Sequence, residues 1–128
     1  AYLAQGRHLM LTLQGCPSHL LDDEVFLHDL CVRAAQATGA QVLQSMSHHF
    51  TPQGVTSLIL LAESHASIHT YPEVGTAFWD CFTCGWECIP ERSVEVLVEG
   101  LGAETVQWEC ITRGDGAEYA PIPDSGEG

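Results

Sequence analysis

A two-layer α+β sandwich, with two helices on one face of a mostly antiparallel sheet, is the fold class this sequence predicts. Three observations carry that expectation. Residues 6–14 alternate apolar and polar residues with a period of two, and other short runs, the strongly apolar 55–62 among them, read as further strands. Two other stretches repeat apolar residues at i, i+3, i+4 and i+7, the stripe of a helix that packs on a core. Most links between neighbouring strand candidates are too short to hold a crossover helix, so much of the sheet must pair antiparallel.

The elements follow in order. Residues 6–14 set His8, Met10 and Thr12 against Leu9, Leu11 and Leu13, as in a half-buried strand. Residues 17–22 read as a loop. Asp22 or Asp23 is placed to cap a helix that runs to about Thr38 and closes on Gly39. Leu27, Leu30, Cys31 and Ala34 form its core stripe. Residues 40–50 are a second strand, Thr51-Pro52-Gln53-Gly54 a turn, and residues 55–62 a strongly apolar third strand. A short segment over 67–71 ends at Pro72, and residues 76–83 form the next strand. Pro90 suits the first turn of a helix that reaches about Leu101, with Val94, Leu97, Val98 and Leu101 on its buried face. Residues 105–112 are the last strand. The tail from Gly114 is rich in Gly, Pro and acid and is expected to be loose. With both helices on one face, the other face of the sheet needs cover, which points to a homodimer.

The 128 residues make one domain, 1–128, long enough to bury a core without staples. Four basic residues, all Arg, face seventeen acidic ones, for a formal charge of −13. Such a chain lacks the basic footprint that nucleic acid or an anionic membrane surface requires, and a cationic small molecule would be drawn to it. The absence of Lys excludes pyridoxal phosphate held on a Lys of this chain. The longest apolar run, residues 58–62, is far short of a membrane span, and no leader-like opening is present, so cytoplasmic localisation is the expectation.

The six cysteines include a close group, Cys81, Cys84 and Cys88. It resembles half of a zinc site, but the second pair is missing, and residues three apart on a strand point to opposite faces. Buried free thiols are the plainer reading for Cys16, Cys31, Cys81 and Cys110. No metal is expected. The densest reactive stretch is residues 62–73, AESHASIHTYPE. A Ser near two His suggests a hydrolase, but the G-x-S-x-G elbow is absent. Ser64 and His69 are five apart, so on one strand they face opposite sides. They could pair only across strands or between subunits. Spacing alone therefore favours an ordinary polar strand.

Larger blocks change that weighting. Gly6-Arg7-His8-Leu9, His48-His49-Phe50, Pro52-Gln53-Gly54-Val55, Ala62-Glu63-Ser64-His65, Ile68-His69-Thr70-Tyr71-Pro72-Glu73 and Phe82-Thr83-Cys84-Gly85 resemble bacterial S-adenosylmethionine decarboxylase in order and spacing, over residues 6–114. The resemblance implies a proenzyme that cuts itself between Glu63 and Ser64, into 1–63 and 64–128. Ser64 becomes a pyruvoyl group, which forms a Schiff base with the substrate and replaces pyridoxal phosphate as electron sink. It further implies His69 as the processing histidine, and Thr56 in place of a serine that assists processing. Cys84 is the implied proton donor. Phe50 is implied as the ring that stacks on adenine, Glu73 as the carboxylate on the ribose hydroxyls, and Tyr71 as a substrate-binding aromatic. Each site would straddle a homodimer, with Ser64 and Cys84 from one protomer and Phe50, His69 and Glu73 from the other. The implied substrate is S-adenosylmethionine, for polyamine and spermidine synthesis. The same pyruvoyl chemistry acts on L-ornithine or L-arginine in relatives, and an unprocessed, non-enzymatic homologue is a third alternative.

Overall fold

The computed structural model describes residues 4–121. Six strands form one sheet: β1 (Gln5–Gln14), β2 (Val42–His49), β3 (Val55–Leu61), β4 (Ser64–Tyr71), β5 (Thr76–Cys84) and β6 (Thr105–Gly114). Their order across the sheet is β2-β3-β4-β5-β1-β6, and every neighbouring pair is antiparallel. Helices α2 (Glu24–Ala37) and α3 (Arg92–Leu101) lie on one face and pack against each other. This is the expected α+β sandwich.

The period of two decides which side chains face the helices. Leu9, Leu11 and Leu13 of β1, Ile59 and Leu61 of β3, Ala66 and Ile68 of β4, and Ala77, Trp79 and Cys81 of β5 are all buried. Their neighbours in sequence point to the opposite, open face, where Met10, Met46, Leu58, Leu60 and Phe78 are exposed. The helix stripe at Leu27, Leu30, Cys31 and Ala34 is wholly buried. Asp23 is the cap of α2, its carboxylate accepting the Phe26 N–H at 3.0 Å. Buried Trp79 anchors α3: its Nε1–H donates to Ser93 Oγ at 3.0 Å, and that hydroxyl donates to Pro90 O at 2.7 Å.

Several boundaries differ from the sequence reading. The loop over 17–22 contains a one-turn helix, α1 (Ser18–Leu21). The segment over 67–71 is the second half of a strand that starts at Ser64. Pro90 precedes the N-cap of α3, Glu91, so its role is to supply a carbonyl and not to open the helix. Cys110 is only half-buried, because β6 is an edge strand. The start of the tail is tied down: β6 runs to Gly114, and the Asp115 N–H donates to Ala4 O at 2.9 Å. The tail beyond residue 121 lies outside the described residues. No helix among the described residues is long and apolar enough to cross a membrane.

Gly100 of α3 lies flat on Leu30 of α2; a Cβ there would collide with the Leu30 methyls. Leu30 is therefore the contact on which the two helices close. Leu30→Ala is expected to cost about 2–5 kcal/mol of stability, read as a lower urea midpoint at unchanged slope.

Candidate active site

Strands β3 and β4 are joined by a two-residue turn, Ala62-Glu63, between the paired residues Leu61 and Ser64. Two-residue hairpins usually place positive φ on the turn residues, with Gly, Asn or Asp there. Here the positive φ falls on Ser64, at 146°, and among the described residues no other non-glycine has one. A side chain in this region strains its backbone. The turn is clamped around it. The Cys84 N–H donates to Glu63 O at 2.9 Å, the Gln41 N–H to Glu63 Oε1 at 3.1 Å, and the Ala62 N–H to Gln41 O at 2.9 Å. Ser64 Oγ lies 2.9 Å from His65 Nδ1. The carbonyl of Glu63 thus carries a hydrogen-bond donor on its oxygen, and the serine that follows it is strained.

Cys84 ends β5 on the open face and is exposed. It borders a depression of about 370 Å³ lined by Gly6, Phe82, Arg113 and Tyr119 among others. Gly6 has to be glycine: a Cβ would stand 2.7 Å from both Phe82 and the Thr83 carbonyl. The Arg113 guanidinium lies over the Phe82 ring, 4.7 Å from its centroid. Cys81 points the other way and is fully buried, as the spacing of three requires. Burial pushes the thiols of Cys16, Cys31, Cys81 and Cys88 up, Cys81 to about 12, and so keeps them neutral.

A second cluster forms at the far end of β4. Thr56 and His69 are cross-strand partners, and Thr56 Oγ1 lies 2.6 Å from His69 Nδ1, which orients the ring. The His69 ring meets Phe50 at 5.9 Å and Tyr71 at 4.8 Å between centroids, both edge to face. Glu73 lies just beyond, exposed in the 3-10 turn Pro72–Val74. Asp22 was missed as anything but a cap. Its Oδ1 accepts the Gly54 N–H at 2.9 Å and bonds His49 Nε2 at 2.7 Å, which closes the loop carrying Phe50. Those bonds, the Gly54 one foremost, hold its carboxyl below the usual range. The separation of 32 positions between Asp22 and Gly54 left no local signal for this clamp.

The predicted residues therefore fall into two groups. Glu63, Ser64 and Cys84 meet at one end of β4, and Phe50, Thr56, His69, Tyr71 and Glu73 gather at the other. Ser64 and His69 are separated by roughly 17 Å along the strand. Between the groups, His8 Nε2 lies 2.7 Å from Asp80 Oδ2, and Ser67 donates to the same carboxylate. The carboxylate sits between Ser67 and His8, so this trio has no imidazole on its serine and is not a hydrolase triad. Among the described residues no three His, Cys, Asp or Glu side chains converge as a metal site.

Along most of its length the chain is similar to known proteins of one kind. The family profile for S-adenosylmethionine decarboxylase matches residues 7–114. The S-adenosylmethionine decarboxylase proenzyme of Prochlorococcus marinus (strain MIT 9211) is 50% identical over 108 residues, covering 84% of this chain and 88% of the relative. That of Brevibacillus brevis (strain 47 / JCM 6285 / NBRC 100599) is 44% identical over 123 residues, covering 96% and 92%. The crystal structure of the adenosylmethionine decarboxylase from Aquifex aeolicus VF5 aligns with a TM-score of 0.79 at 29% identity, covering 95% of this chain and 100% of that one.

Proposed function

Because the chain belongs to the S-adenosylmethionine decarboxylase family, we propose that it is made as a proenzyme that cuts itself at Glu63–Ser64 and then decarboxylates S-adenosylmethionine. The activity is that of a pyruvoyl-dependent decarboxylase. One observation carries the placement of the cut: the Glu63 carbonyl is held by the Cys84 N–H immediately before a strained serine. Ser64 Oγ adds to that carbonyl carbon, and the C–N bond then breaks to leave an ester and a free amine. Removal of the Ser64 Cα proton expels the Glu63 carboxylate and leaves dehydroalanine, which hydrolyses to pyruvoyl and ammonia. His69, oriented by Thr56, serves as the processing base.

The ketone of the pyruvoyl group supplies the electron sink for loss of carbon dioxide. The chain's own residues do the rest. Cys84, exposed at the same end of β4, returns a proton to the substrate α-carbon. Phe50 stacks on the adenine, Tyr71 packs beside it, and Glu73 accepts the ribose hydroxyls. The charge of −13 favours a cationic substrate and disfavours nucleic acid and anionic membranes. The two groups of residues lie at opposite ends of β4, beside the exposed apolar side chains of the open face. A second copy set face to face about a two-fold axis covers that face and brings one group against the other. The reading therefore includes a homodimer with shared sites, acting in the cytoplasm, whose product feeds polyamine synthesis.

Intact-mass analysis and a carbon dioxide release assay test this together. Two fragments, the second with a blocked terminus, and release from S-adenosylmethionine but not ornithine or arginine are expected. A chain that stays whole, or release from ornithine or arginine alone, would overturn the reading. Base stacking on an aromatic contributes about 1–3 kcal/mol. Phe50→Ala is therefore expected to raise KM for S-adenosylmethionine roughly ten- to a hundredfold, with less effect on cleavage, which precedes substrate.

A further inference from the structure

We propose that the Thr83 hydroxyl is an oxyanion donor for self-cleavage, left without a partner until the Glu63 carbonyl becomes tetrahedral. The inference rests on the self-cleavage reading above. Thr83 is fully buried, and its Oγ1 has no hydrogen-bond partner among the described residues. Buried hydroxyls nearly always find one, so the exception asks for a reason. The other buried oxygen in this condition, Glu91 Oε1, belongs to a carboxylate that already pairs with Arg7. Thr83 has no such engagement. Packing does not explain the hydroxyl either, since its helix-facing neighbours along β5 are Ala77, Trp79 and Cys81, and a valine would fill the same volume.

Its position supplies the reason. Thr83 is the cross-strand partner of Ser64. The Cys84 N–H to Glu63 O bond flanks that pair and makes it a non-hydrogen-bonded one, the kind whose facing side chains come closest. The orphan hydroxyl therefore stands across the ladder from the bond to be cut. A donor that binds the ground-state carbonyl and the oxyanion equally gives no acceleration; one that gains its partner only as charge develops gives it in full. As Ser64 Oγ bonds to the Glu63 carbon, the C=O electron pair moves onto oxygen, where the Cys84 N–H and the Thr83 O–H share the charge. Collapse breaks the Glu63–Ser64 C–N bond, and the Ser64 hydroxyl proton ends on the freed amine. Nothing is oxidised or reduced.

The test follows cleavage of freshly translated full-length precursor by intact mass in the parent, Thr83→Val and Thr83→Ser. Melting temperatures are compared in the uncleavable Ser64→Ala background. Loss of one oxyanion donor slows such a step by about a hundredfold or more. Thr83→Val is expected to slow cleavage by that factor without lowering the melting temperature, and Thr83→Ser to stay within severalfold of the parent. Cleavage of Thr83→Val at the parental rate overturns the proposal and leaves the self-cleavage reading standing. Thr83→Ser as slow as Thr83→Val also overturns it, because packing and not the hydroxyl would then control the rate. A parent that never cleaves removes the self-cleavage reading itself, and is seen before any variant is compared.

Discussion

Ser64→Ala is expected to abolish cleavage, giving one species of full mass where the parent gives fragments 1–63 and 64–128. The acyl shift needs the hydroxyl as its nucleophile, and no neighbour replaces it. His65 lies beside Ser64 Oγ, but an imidazole does not close the five-membered ring through which the serine reaches its own carbonyl. The backbone permits a finer test. Alanine keeps the Cβ and so keeps the strain at a φ of 146°, whereas glycine releases it. Both Ser64→Ala and Ser64→Gly should remain uncut, with Ser64→Gly the more stable by about 1 kcal/mol in urea unfolding. A clean cut in Ser64→Ala after long incubation would falsify the assignment of the nucleophile.

Cys84→Ala carries the second large effect. Its thiol is exposed at the sheet's open face, while Cys81, three residues back, is sealed in the core with its pKa pushed to about 12. Removing a positioned proton donor typically costs 10²- to 10⁴-fold. kcat is expected to fall in about that range while KM moves little. The protein should also inactivate during turnover, because the proton can then go to the pyruvoyl carbon, leaving an amine on the enzyme and releasing an aldehyde. Cys81→Ala serves as the comparison. It leaves a small core void and should lower stability without this loss of kcat. Normal turnover in Cys84→Ala alongside inactivity in Cys81→Ala would reverse the assignment.

The layers of the fold could be read from the sequence because burial here follows simple periods. Leu9, Leu11 and Leu13 alternate with His8, Met10 and Thr12 as a one-sided strand must, and the α2 stripe from Leu27 to Ala34 is buried throughout. The start of β4 was not legible. Ala62-Glu63 lacks the Gly, Asn or Asp that announces a tight hairpin, because the unusual backbone angle sits one residue later, on Ser64. Of the site, spacing gave little: the separation of five positions between Ser64 and His69 argued against a pair, and within one chain they are indeed far apart. The roles expected of Phe50, Glu73 and Cys84 rest on the resemblance of whole blocks. Three features had no local signature at all. The Asp22 clamp joins distant segments, the Cys84 N–H bond to Glu63 joins two strand ends, and the orphan state of Thr83 is a matter of solvation.

The strand order has a consequence for the protein after the proposed cut at Glu63–Ser64. β1, β2, β3 and the first two helices belong to residues 1–63, and β4, β5, α3 and β6 to residues 64–128. Across the sheet the two pieces alternate, so that β3–β4, β5–β1 and β1–β6, three of the five ladders, join one piece to the other. Strand β1 is threaded between two strands of the opposite fragment. The proposed cut would thus turn a single chain into two interlaced ones, with three ladders but no covalent link between them. Each uncut subunit would refold as one chain before it pairs with a second copy, whereas a cut subunit would refold only by a second-order encounter of its own halves. The folding of the subunit itself would then depend on concentration, in addition to its pairing. Such a cut would make the fold, once lost, hard to recover.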